Sequence, residues 1–187
     1  DGYGDDGEAD WQHAQNYRVD LLGFTYTMFN ELYDGTHPSG GPTGGGGVDQ
    51  PGDPVSTDVT NLLNAGRGVV HYTGHGSVTS WATTGFNNGA ISLLTNDNML
   101  PCVVSVGCVN GQFVNATCFA ETWMRSTHNG EPTGAVATYM STVNQQWATP
   151  MRAQDEMIDL LCAGEKWTCG GTCFNGSCDM IDRYGAN

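Results

Sequence analysis

The chain has 187 residues, enough for one domain with a sizeable core, and its formal net charge is −14 with only six Lys plus Arg. So few cations exclude a phosphate-binding nucleic-acid surface, and the chain is expected to bind none. No run approaches the roughly eighteen apolar residues that a membrane span needs, and the acidic stretch from Asp1 to Asp10 is not a signal peptide. An acidic surface ordinarily means solubility, though it also draws basic peptides or calcium.

In chain order, apolar spacing predicts a helix over 10–22, with Asp10 as N-cap and Gly23 as the stop. Residues 24–32 are rich in aromatic and β-branched side chains and predict a strand. The stretch 37–53 is rich in Gly and Pro and reads as a loop insertion within a single domain spanning 1–187. Ser56 or Thr57 is expected to cap a short helix through Leu63. A buried-type strand follows over 68–72, a turn over 96–100, and a second apolar strand over 102–106. Helices are predicted over 119–126, 151–162 and 178–184, with a third strand over 134–140. Short apolar strands alternating with helices indicate an α/β fold with a largely parallel sheet. Such sheets place chemistry beyond the carboxyl ends of their strands.

Two strand ends stand out by that rule. One runs Val69-Val70-His71-Tyr72-Thr73-Gly74-His75-Gly76-Ser77, the other Cys102-Val103-Val104-Ser105-Val106-Gly107-Cys108-Val109-Asn110-Gly111. Each carries a Gly-flanked reactive side chain out of a buried strand. If the strands are parallel neighbours, His75 and Cys108 emerge on one edge of the sheet. A thiolate nucleophile with an imidazole beside it is the arrangement of a thiol protease. The backbone N–H groups of Gly76 and Cys108 are candidates for an oxyanion hole. Taken singly, a lone His or Cys at a strand end is ordinarily structural, and the joint occurrence with glycine neighbours brings the two readings level.

Seven cysteines is a high count, and Cys162, Cys169, Cys173 and Cys178 crowd the C-terminal end. Their irregular spacing, with no histidine nearby, favours disulfides over zinc. The sequons at Asn115 and Asn175 fit a secreted protein. His13, His37, His71 and His128 read as structural or solvated.

The longer motifs resemble the gingipain-type cysteine peptidases. They are Tyr72-Thr73-Gly74-His75-Gly76-Ser77, Trp81, Leu100-Pro101, Val106-Gly107-Cys108-Val109-Asn110-Gly111, Cys118-Phe119-Ala120-Glu121, Met124-Arg125, Pro132-Thr133-Gly134, Ser141-Thr142-Val143-Asn144-Gln145, Trp147, Pro150-Met151-Arg152 and Gln154-Asp155-Glu156-Met157. The resemblance covers nearly the whole chain from Asp6. It implies a caspase-like three-layer sandwich, its mostly parallel sheet flanked by helices. It also implies a secreted endopeptidase with His75 and Cys108 as dyad and protein or peptide substrates bearing basic residues. Asp10 matches the family aspartate that floors the primary specificity pocket, which implies cleavage after Arg, or Lys, and Trp147 and Met151 match its walls. Helix capping is the plainer role for Asp10, and core packing for the other two.

Departures from the family are Ser105 where an Asp is familiar and Gly107 where an Ala is. The family's histidine-orienting acid and flanking strands fall outside the chain, so the resemblance implies an excerpt of a larger precursor, completed by other segments or chains. No cofactor is needed for the chemistry. Structural calcium is a candidate for Asp1, Asp5, Asp6, Glu8 and Asp10, with a solvated acidic loop as the equal alternative. Two other functions compete: a transpeptidase of the same family that hands the acyl group to an amine, and a non-catalytic structural or adhesive module.

Overall fold

A computed structural model describes residues 2–35, 52–114 and 116–185. The chain divides into two compact units, one made of residues 1–52 and 146–187, the other of residues 53–145. The loop insertion predicted over 37–53 lies, but for its last two residues, outside the described residues, as does the sequon asparagine Asn115.

The contiguous unit is built on three parallel strands in the order β1 (Val69–Thr73), β4 (Cys102–Val106), β7 (Ala137–Met140). The strand predicted over 102–106 forms at those residues, because Val103, Val104, Ser105 and Val106 are all buried and only a central strand buries both faces. β7 starts three residues later than predicted. Gly134 has φ 78° and a Cβ there would collide with the Trp123 carbonyl, so the chain turns before it can enter the sheet. Between these strands lie two small hairpins, β2 (Gly76–Ser77) with β3 (Ser80–Trp81) and β5 (Thr127–His128) with β6 (Glu131–Pro132). Helices α2 (Ser56–Asn64), α3 (Asn88–Ile91) and α4 (Phe119–Arg125) complete the unit, and α4 packs on β7. Ser56 is the first helical residue of α2 and not its cap; the Asp58 carboxylate instead accepts from the Val55 N–H at 2.8 Å. The core is aromatic: Trp81, Phe86, Phe119 and Trp123 are buried with ring centroids 5.1–6.2 Å apart, and Tyr72 stacks on Trp81 at 4.6 Å. Each such pair adds about 0.5–1.5 kcal/mol beyond area burial.

The other unit is helical. α1 (Asp10–Phe24) packs on α5 (Ala148–Cys162), and α5 on α6 (Cys169–Tyr184). Asp10 is the first helical residue and not the N-cap: Ala9 occupies that position, its N–H held by Gln12 Oε1 at 2.9 Å. Gly23 does not stop α1, since one glycine costs only about 1 kcal/mol in a helix. No strand forms over residues 24–32. Phe24 ends the helix, and Tyr26 and Phe29 pack as loop side chains on the cluster of Tyr17, Leu21 and Ile158, while buried Glu31 pairs with buried Arg18. High β-propensity here gives partial burial against helices, not a strand.

α5 starts earlier than predicted because Pro150 lies in its first turn, where a missing N–H is harmless. α6 is 16 residues long, against the seven predicted over 178–184. Thr168 caps it by accepting from the Gly171 N–H at 3.1 Å. Its Gly176 is a packing residue: a Cβ there would sit 2.6 Å from the Ala153 carbonyl oxygen of α5. The sequon asparagine Asn175 lies inside α6, with Nδ2 donating to the Gly171 carbonyl at 2.8 Å.

The cysteine cluster departs from expectation. Cys102 is in a disulfide and so is Cys169, each described within its own unit, whereas Cys108, Cys118, Cys162, Cys173 and Cys178 are free thiols. Cys169 and Cys173 lie one turn apart on α6 with sulfurs 3.9 Å apart, well beyond a bond of about 2 Å.

Candidate active site

The register of the sheet sets the first part of the site. β1 and β4 run parallel with Thr73 opposite Val106, and the ladder continues through a 3.0 Å bond from the Gly74 N–H to the Val106 carbonyl. His75 and Cys108 are each two residues beyond that last pair, so both leave the sheet at the same edge and level. His75 is exposed and Cys108 half-buried, with its Sγ 3.7 Å from the Gln145 carbonyl oxygen.

The glycines between them are dictated by close approach. A Cβ on Gly76 would stand 2.9 Å from the Cys108 carbonyl oxygen and 3.0 Å from both side-chain polar atoms of Asn110. A Cβ on Gly107 would stand 2.6 Å from Asn110 Oδ1, and one on Gly111 2.7 Å from the Met140 carbonyl oxygen. The backbone after the histidine therefore lies directly against the turn that carries the cysteine. Val109 in that turn has φ 52°, a left-handed conformation that a β-branched residue holds only under constraint. The constraint is visible as bonds from the Val109 N–H to the Val143 carbonyl at 3.1 Å and from the Gly111 N–H to the Ser141 carbonyl at 2.8 Å.

A buried polar relay joins the two loops. Trp81 Nε1 donates to Ser105 Oγ at 2.9 Å, and Ser105 Oγ donates to Asn110 Oδ1 at 2.9 Å. Asn110 Nδ2 in turn donates to the carbonyls of Ser77 at 2.6 Å and Ser80 at 3.1 Å. Tyr72 Oη donates to the His75 carbonyl at 2.7 Å. Ser105, read in sequence only as a departure, thus links the aromatic core to the His75 hairpin. Asn110, quoted within a motif and assigned no role, is the clamp.

The candidate pocket residues belong to the helical unit. Residues 2–10 form a tight turn, with the Gly4 N–H on the Glu8 carbonyl at 2.9 Å and the Asp10 N–H on the Gly2 carbonyl at 3.0 Å. Half-buried Asp10 accepts from the Gly2 N–H at 3.3 Å and the Trp11 N–H at 2.8 Å. A Cβ on Gly2 would collide with the Trp147 indole, and one on Gly4 would lie 3.6 Å from Met151 Cε. Asp10, Trp147 and Met151 therefore gather around the Gly2–Gly4 backbone, with Met151 buried.

Of the other acids in this turn, Asp5 is engaged by Arg183 at 2.7 Å, and its carboxyl is held below the usual range by Tyr184 and Arg183. Asp6 accepts from the Glu8 N–H at 2.9 Å, and Asp1 lies outside the described residues. Glu8 instead faces His13, a residue that sequence reading left as structural. His13 Nδ1 lies 2.5 Å from Glu8 Oε1 and 3.3 Å from Asp155 Oδ1. Burial holds the His13 imidazole below its ordinary range. The Asp155 carboxyl is pushed up to about 7, first by burial and then by Glu8.

A parallel sheet flanked by helices, with a Gly-flanked His and Cys at one carboxyl edge, is the arrangement expected of a caspase-like thiol peptidase. The profile of one family of that class, peptidase family C25, matches residues 2–185, and the chain belongs to it. It is 39% identical over 186 residues to gingipain R2 of Porphyromonas gingivalis strain W83, covering 96% of this chain and 23% of that protein. It is 36% identical over 86 residues to Lys-gingipain HG66 of the same species, covering 46% of this chain and 5% of that protein. Among solved structures, the complex of P. gingivalis RgpB pro- and mature domains superposes with a TM-score of 0.83 at 37% identity, covering 99% of this chain and 41% of that one. The Arg-specific cysteine proteinase gingipain R superposes at 0.82 and 36%, covering 98% and 40%. The chain therefore spans under a quarter of the curated relatives' length and about two fifths of the solved chains. The α/β fold with its parallel sheet and helices is the one expected.

Proposed function

We propose that this chain carries the catalytic machinery of an extracellular cysteine endopeptidase that cleaves proteins after basic residues, Arg foremost. The observation that carries the reading is the register of β1 on β4, which brings Gly-flanked His75 and Cys108 to one edge two residues past Thr73 and Val106. The Cys108 thiol passes its proton to the His75 imidazole, and the thiolate so formed attacks the scissile carbonyl carbon. The N–H groups of Gly76 and Cys108 are the candidate donors to the oxyanion. As the C–N bond breaks, His75 returns the proton to the leaving amine, and water then hydrolyses the thioester, regenerating the thiol. Asp10 supplies the carboxylate that a guanidinium binds bidentately, and Trp147 and Met151 supply apolar walls for its stem.

Likeness to a proteinase named as Arg-specific supports the basic preference. Likeness to a complex of pro- and mature domains supports partners drawn from the same precursor. Among the described residues no helix is long and apolar enough to cross a membrane. The chemistry needs no cofactor. Calcium would have to draw Asp5, Asp6 and Asp10 from the separate partners they now hold, so its part in this reading is structural and no step passes through it.

The test is labelling of the native chain with an Arg-containing acyloxymethyl ketone, read by peptide mass mapping. The expected adduct is on Cys108 and absent from Cys108→Ala. A folded chain that takes no adduct would return the assignment to the structural or adhesive module.

A further inference from the structure

The first turn of α6 sets a free thiol against a disulfide sulfur, and the proteolytic reading uses neither. Cys169 is the first helical residue and is disulfide-bonded. Cys173, one turn on, is a free thiol, and the two sulfurs are 3.9 Å apart. That is close to van der Waals contact between sulfurs and about 2 Å longer than a bond. Cys173 is buried, so its sulfur meets that of Cys169 sheltered from reagents in solution.

The residues between them are Gly170-Gly171-Thr172, a composition that runs against their helical state. Each glycine costs a helix about 1 kcal/mol relative to alanine. Packing accounts for Gly176 on the same helix but not for Gly170, where an added Cβ would meet no neighbouring atom within 4 Å. A Cβ on Gly171 would lie 2.9 Å from Thr168 Oγ1, the atom that caps the helix. What the pair supplies is a turn that changes shape easily. Side chains four apart on a helix have Cβ atoms about 5–6 Å apart, and a disulfide needs about 3.5–4.5 Å. A tightening of roughly 1–2 Å closes that gap. It falls where the N–H groups of Cys169, Gly170 and Gly171 have no intrahelical acceptor to lose.

We propose that Cys173 is an internal nucleophile for the disulfide of Cys169, and that the folded chain exchanges between two bonded forms. The Cys173 thiol loses its proton and the thiolate attacks the Cys169 sulfur. A Cys169–Cys173 bond forms, and the sulfur that now holds Cys169 leaves as a thiolate and takes up a proton. One S–S bond breaks and one forms, so no oxidant or reductant is consumed. The disulfide then lies wholly within α6, and a thiol is freed elsewhere in the chain. Burial holds the Cys173 thiol above its ordinary range, so thiolate is scarce at neutral pH and the exchange is slow.

The test uses the Cys108→Ala chain, so no outcome depends on the dyad. The folded chain is held at about pH 9 without reductant, where thiolate is more abundant. It is then quenched in acid, denatured, alkylated with N-ethylmaleimide and cut with trypsin. Cleavage after Lys166 and Arg183 leaves Cys169, Cys173 and Cys178 in one peptide. The expected product is that peptide joined to no other, with Cys169 bonded to Cys173, Cys178 alkylated, and one newly alkylated cysteine elsewhere. Its proportion should not depend on chain concentration, and Cys173→Ser should abolish it. Gly170→Ala has open space for its methyl group and keeps the fold; by stiffening the turn it should lower that proportion about fivefold. A starting chain that yields none of this product, an internal bond that survives Cys173→Ser, or a proportion unchanged in Gly170→Ala overturns the proposal.

Discussion

Asn110 offers the sharpest test of how the two loops of the candidate site are held together. It is fully buried and makes three side-chain bonds: it accepts from Ser105 and donates to the carbonyls of Ser77 and Ser80. Asn110→Ala deletes all three and leaves two carbonyls and a hydroxyl short of a partner. At about 1 kcal/mol net per bond, the loss is roughly 3 kcal/mol. That corresponds to a fall in melting temperature of about 6–12 °C in a chain of this size. Asn110→Asp is the discriminating variant. It has the same shape and keeps the acceptor for Ser105, but its buried carboxylate cannot donate and faces two carbonyl oxygens, so it is expected to do at least as much damage as alanine. Urea unfolding followed by tryptophan fluorescence measures the stability. Turnover of an Arg peptide amide measures the site, with kcat expected to fall more than KM rises. An Asn110→Asp variant as stable and active as the parent would refute the reasoning, because shape alone would then explain the residue.

Gly176→Ala runs against helix propensity. Alanine is the better helix former by about 1 kcal/mol, yet its Cβ would press on the Ala153 carbonyl at 2.6 Å, so a net loss of roughly 1–3 kcal/mol is expected in urea, and a gain would show that α5 and α6 are not packed this closely. Burial pushes the Cys118, Cys162 and Cys173 thiols up, so at pH 8 they hold less thiolate than a free cysteine; iodoacetamide labelling of the three should be slow and rise with pH beyond that point, and fast labelling at pH 8 would contradict it. His75→Ala should lower kcat by several orders of magnitude with the fold intact by circular dichroism, and a variant within about tenfold of the parent would remove the dyad. Asp10→Asn should lower kcat/KM for Arg substrates selectively, and an unchanged preference for Arg over an uncharged residue would unseat the pocket assignment.

What sequence made legible was local. The run of apolar residues at 102–106 and the Gly-flanked His75 and Cys108 need no distant partner to be read, and the parallel sheet follows from alternation alone. The misses each involve a partner far along the chain. Tyr26 and Phe29 look like a strand, and only Ile158 shows that they pack as a loop. The three glycines of α6 argue against a helix until Ala153 shows why one is needed. Asn110 meets Ser77 across 33 residues, and His13 meets Gln154 across 141. Neither spacing leaves a periodic trace in the sequence.

The division of the chain has a consequence for its synthesis. Residues 53–145 are contiguous, so β1, β4 and β7 can assemble as soon as that stretch has left the ribosome, and units of this kind generally fold as they emerge. The helical unit cannot, because α1 is translated before that stretch and α5 and α6 after it. Until α5 appears, the apolar face of α1 at Tyr17 and Leu21 has no Ile158 to cover it. The turn bearing Asp10 is thus made before the sheet and finished only after it.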